Sequence, residues 1–110
     1  MMEEWSDYQT EQASEKRQLW LDLWQTLEED HEVPDAEVLE RLSGLIGGEI
    51  EDFASRWNEL DNRLRRSLIA ALHQLAADDF RLDFSAVFRT GLEDADPQVR
   101  ATSVAGLGEV

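Results

Sequence analysis

One segment of this 110-residue chain occurs twice, offset by 35 positions. Phe53, Trp57, Asp61, Leu64, Arg65, Ile69, Ala70, Leu72 and Leu75 are answered by Phe88, Leu92, Asp96, Val99, Arg100, Val104, Ala105, Leu107 and Val110. Self-similarity of this length is the mark of helix-pair arrays. In them each unit is too small to bury its apolar face alone and must stack on a neighbour. The repeat therefore predicts an all-α chain of antiparallel helix pairs. It selects an architecture and leaves the chemistry open.

Apolar spacing places the helices. Residues 1–10 scatter Trp5 and Tyr8 among polar residues without a period, which predicts a flexible end. From about Glu11 to Glu29, Trp20, Leu23, Trp24 and Leu27 fall on one helical face, widened by Leu19 and Leu21. EEDHEVPD breaks that pattern, and Pro34 suits the first turn of a second helix faced by Leu39, Leu42, Leu45 and Ile46. Gly47-Gly48 reads as its end. A third helix runs from about Glu49 to Glu59 with Ile50, Phe53, Ala54 and Trp57 inward.

Asp61 or Asn62 can cap a fourth helix striped by Leu64, Leu68, Leu72 and Leu75, because a short carboxylate or amide accepts the first free N–H groups. After AADDFRLD, a fifth helix spans about Phe84 to Glu93. The turn Asp94-Ala95-Asp96-Pro97 then opens a sixth, with Asp96 as cap and Pro97 at the first helical position. No alternating run is long enough for a strand.

Charge narrows the class of partner. Residues 1–40 carry 13 acids against Lys16 and Arg17, a net −11 of the whole chain's −15. Nucleic-acid binding draws its affinity from lysine and arginine displacing counterions, and anionic membranes attract the same residues. The composition disfavours both. No cysteine supplies a disulfide or thiolate ligand, and the first residues lack the basic and apolar regions of a secretory signal. The expectation is a cytoplasmic protein.

The second copy, LEDADPQVRATSVAGLGEV, resembles the HEAT-repeat family, above all the short bacterial HEAT-like units. The resemblance rests on Asp96, Pro97, Val99, Arg100, Ala105, Leu107 and Gly108. The first copy keeps Asp61, Leu64, Arg65, Ala70 and Leu72, with Asn62 in place of proline and His73 in place of glycine. Residues 38–110 also look like the N-terminal part of bacterial HEAT-repeat proteins of unassigned function. The resemblance implies a short right-handed α-solenoid of about six helices. Residues 11–48 would form an acidic cap or degenerate repeat, 49–77 the first unit, and 84–110 a second, truncated unit. It also implies that Asp61, Arg65, Asp96 and Arg100 stabilise the stack.

Candidate chemistry is thin. His31 lies among acids in EEDHE, which reads more simply as a solvated connection than as a metal site. No Gly-rich phosphate loop and no serine with a base at hand stands out, so the chain is read as a non-enzymatic module with no cofactor and no metal. Its expected partner is another protein, met by Arg63, Arg66, His73 and Gln74 on the second-helix side. The C-terminal helix edge, Leu107 and Val110, offers self-association. The alternatives are a structural N-terminal cap of a longer array and a part of a bilin-lyase-type HEAT-like enzyme.

Overall fold

The computed structural model describes the backbone of residues 2–108 and the side chains of residues 15–108. Among the described residues six helices follow one another: α1 (Met2–Glu28), α2 (Ala36–Leu39, extended by a 3-10 turn over Glu40–Leu42), α3 (Gly48–Trp57), α4 (Asn62–Asp78), α5 (Ser85–Gly91) and α6 (Pro97–Leu107). No strand occurs among the described residues. Trp5, Tyr8 and Val110, to which the sequence drew attention, have side chains outside this description.

The helices pack like on like. α3 lies against α5 and α4 against α6, so each helix of the first copy meets its counterpart in the second. α5 also packs on α6, and does so closely. A Cβ at Gly91 would fall 2.0 Å from Ser103 Oγ, and one at Gly106 would fall 2.5 Å from the Phe88 ring. These glycines let the two short helices approach where a larger residue would hold them apart.

One apolar core runs from α1 to α6. Leu23, Leu27, Leu42, Phe53, Trp57, Leu68, Ile69, Leu72, Phe84, Val87, Phe88 and Val99 are fully buried within it. At its upstream end the rings form a column. Trp20 meets Trp24 edge-on at 5.7 Å, Trp24 meets Phe53 at 5.8 Å, and Phe53 stacks on Trp57 at 5.5 Å. Each such pair adds roughly 0.5–1.5 kcal/mol beyond the area it buries. The acidic α1 therefore docks on α3 through its apolar stripe. Polar ties reinforce it: Arg56 Nη1 donates to Glu28 Oε1 at 2.9 Å and Trp20 Nε1 to Asp52 Oδ2 at 3.0 Å.

Several expectations differ from what forms. α1 begins at Met2 rather than near Glu11. Pro34 sits two residues before α2 begins at Ala36, ahead of its N-cap Asp35. The second helix also stops at Leu42, well short of Gly47. Gly44 and Gly47 adopt φ of +67° and +56°, in the left-handed region that glycine enters without Cβ strain, and they turn the chain before α3. Gly47 is the N-cap of α3, a start where the sequence read a stop. Ser43 anchors this turn: its Oγ accepts the Asp83 N–H at 2.8 Å, and Asp83 O accepts the Gly44 N–H at 2.8 Å. Ile46, expected on a helix face, lies in the loop and is 73% exposed.

Candidate functional site

The polar centre of the molecule lies on the seam between the two sequence copies. It begins with capping. Asp61 Oδ2 accepts the Arg63 N–H at 3.0 Å and starts α4, while Asp96 Oδ1 accepts the Gln98 N–H at 2.8 Å and starts α6 behind Pro97. Starting α4 at Asn62 places Asn62, Arg65 and Arg66 in its first turns, beside the α5–α6 connection.

Asp94 occupies the hub of that connection. Its side chain is 1% exposed, against 13% for the side chain of Arg65. Oδ1 accepts the Asp96 N–H at 2.9 Å and Arg65 Nη2 at 3.3 Å. Oδ2 accepts Trp57 Nε1 at 2.8 Å and Arg65 Nε at 2.9 Å. A buried carboxylate is tolerable only when paired and hydrogen-bonded, and four donors achieve this. Arg65 is held from behind, since its Nη1 donates to the Leu60 carbonyl. Burial alone would push the Asp94 carboxyl up. The Asp96 N–H, the Arg65 guanidinium and the Trp57 indole outweigh that and hold it below its ordinary value.

A second rung runs parallel. Arg66 Nε donates to Asp96 Oδ2 at 2.6 Å, and Asn62 Nδ2 donates to the same oxygen at 3.2 Å. Burial pushes the Asp96 carboxyl up, but Arg66 and the Gln98 N–H pull it lower still, so it too titrates below its usual value. Asn62, where the second copy has proline, thus uses its amide to join the copies.

The sequence-derived residues separate into three groups. Arg65 and Asp96 bridge the copies, whereas Asp61 caps its own helix, and Arg100 donates through Nη1 to the Asp94 carbonyl of its own turn at 2.7 Å. Arg66, expected to meet a partner, is committed to Asp96. Gln74 is exposed and donates to Asp78 Oδ1 one turn on at 3.2 Å, His73 is half-buried, and Arg63 is exposed. Residues 63, 66, 70 and 74 recur at helical spacing, so Arg63, Arg66 and Gln74 share the outward stripe of α4. An open groove beside its start is lined by His31, Val33, Asp61, Arg63 and Ser67.

Asp94 was read only as part of a turn, and the polar role of Trp57 went unread. The doublet Asp94/Asp96 ahead of Pro97 was the available sign: one carboxylate caps the helix, and the second is left to find a cation.

Among the described residues no three His, Cys, Asp or Glu side chains converge to hold a metal ion, and no helix is long and apolar enough to cross a membrane. No family model matches the chain, and comparisons with curated proteins and with solved structures return no match.

Proposed function

We propose that the chain is a HEAT-like helical-repeat module that acts by binding another protein and catalyses no reaction. The observation that carries this reading is the seam. Two copies of one sequence motif pack α3 on α5 and α4 on α6, tied by Arg65–Asp94 and Arg66–Asp96. A chain that spends its best-buried ion pair on joining repeats has a stack as its product, and a stack functions through the surface it extends. In this reading α1 and α2 form the upstream cap, since α1 buries Trp24 and Leu27 and leaves Glu15 and Glu28 exposed.

The binding surface is the outward stripe of α4, with Arg63 as its uncommitted cation. The α4 stripe is basic on an otherwise acidic chain, which favours an acidic segment of the partner. Arg63→Glu tests this on the intact protein, because Arg63 is exposed and its side chain forms no ion pair among the described residues. Isothermal titration with an identified partner should show at least a tenfold loss of affinity and an unchanged unfolding curve. Affinity equal to wild type would remove the α4 stripe as the site.

A further inference from the structure

The first copy shows what its key positions are for, and the second presents the same positions uncovered. In the first, Arg65 Nη1 is held by the carbonyl of its own preceding turn, which aims Nε and Nη2 at the Asp94 carboxylate of the next helix pair. Trp57 and Ile69 beside it are fully buried. The 35-residue correspondence carries Arg65, Trp57 and Ile69 onto Arg100, Leu92 and Val104. Arg100 Nη1 is again held by a carbonyl of its own turn, Asp94 O at 2.7 Å. Its Nε and Nη2 meet no acceptor among the described residues. Leu92 is 36% exposed and Val104 62%.

We propose that Arg100, Leu92 and Val104 form a docking surface for a partner protein that presents an antiparallel helix pair with an aspartate in its connecting turn. The carboxylate seats on the free Nε/Nη2 edge of Arg100, and the two helices cover Leu92 and Val104. This rests on the repeat-stack reading above and names the class of partner. Continuity with the Arg65–Asp94 seam fixes the chemistry, since an arginine fork held from behind is built for a planar carboxylate.

A second copy of this chain fits less well. The upstream face it would offer, α3, is already covered by α1 through Trp24, whose ring lies 5.8 Å from Phe53. A symmetric pair of edges would set one Arg100 against the other.

The test extends the intact chain with the one helix pair known to carry such a turn. A second copy of residues 76–110 is appended after Val110, so that the 35-residue spacing continues and the added unit brings its own Asp94 equivalent. Thermal unfolding is followed with and without Arg100→Gln, and with and without aspartate-to-asparagine in the added turn. The account predicts a higher midpoint for the extended chain and loss of most of that gain with either substitution. The two losses should be non-additive, and Arg100→Gln should matter far less in the unextended protein. No gain, an unfolded added unit, or a gain indifferent to both substitutions overturns the proposal.

A concentration-dependent dimer of the unextended chain that Arg100→Glu abolishes also overturns it, in favour of a second copy. The same cycle at Arg65 and Asp94 separates the two readings. Coupling there without coupling at Arg100 removes only the docking surface, and no coupling at either site removes the repeat stack.

Discussion

The indole N–H of Trp57 donates to Oδ2 of Asp94 at 2.8 Å, across 37 positions of sequence and from one copy of the repeat to the other. Trp57 is fully buried and Asp94 nearly so. A core tryptophan and a turn aspartate thus form one unit, with Arg65 supplying the charge. The packing of α4 on α6 brings this polar hub together with the apolar faces around it.

Removing the hub's charge should be costly. Asp94→Asn leaves Arg65 buried opposite a neutral amide that cannot accept from all four donors. Breaking such a pair from one side costs about 3 kcal/mol. Chemical denaturation should report that loss with an unchanged denaturant slope. Asp96→Asn should cost less, because asparagine still caps α6 and Arg66 remains 41% exposed.

Two tryptophans offer a matched contrast. Trp24 is 2% exposed and its Nε1 has no hydrogen-bond partner among the described residues, whereas Trp57 Nε1 serves Asp94. Replacing each by phenylalanine removes a similar volume, so the cavity cost is similar. Trp57→Phe should be the more destabilising by about 1.5 kcal/mol, the contribution of a hydrogen bond to a charged group. Equal losses by urea titration would deny the Trp57–Asp94 bond.

The seam also predicts an acid response. Asp94 and Asp96 have folded-state values held below the ordinary aspartate value of 3.8. Their stabilisation is therefore complete above that value and is lost as pH falls through it towards the folded values. Protonation also relieves the repulsion within a chain of net charge −15, which acts in the opposite direction. The difference between wild type and Asp94→Asn isolates the seam. That difference should be constant near neutrality and shrink as pH is lowered below about 4. A difference that stays constant to pH 2 would show that Asp94 carries no depressed value.

Close helix approach yields a third kind of change. Gly106→Ala drives a methyl against the Phe88 ring at 2.5 Å, within a fully buried part of the core. Overpacking of this sort costs about 1–3 kcal/mol. Gly48→Ala, which meets nothing within 4 Å, should be neutral or stabilising by no more than about 1 kcal/mol. Melting temperatures of the two variants should move apart accordingly.

Local signals made much of this fold legible. The stripe Leu64, Leu68, Leu72 predicted α4 because helical spacing brings those residues to one face, and all three are buried. Asp61 and Asp96 were readable as caps because capping spans only two or three residues. α2 was misjudged because Gly47 carries the same letter whether it stops one helix or starts the next, and only its tertiary setting decides. Leu92 and Val104 match Trp57 and Ile69 in the repeat, yet Trp57 and Ile69 are buried and Leu92 and Val104 are not. Their exposure reflects what packs on each copy, which no single segment encodes. Asp94 was opaque for a related reason: its partners Arg65 and Trp57 stand 29 and 37 positions away.

Arg65 and Asp94 couple the two sequence copies across the seam between α4 and the turn before α6. A double-mutant cycle with Arg65→Gln and Asp94→Asn, read by urea unfolding of the intact chain, measures this coupling directly. The account predicts a coupling energy above about 1 kcal/mol, within the range seen for residues in direct contact. Strictly additive losses would contradict it.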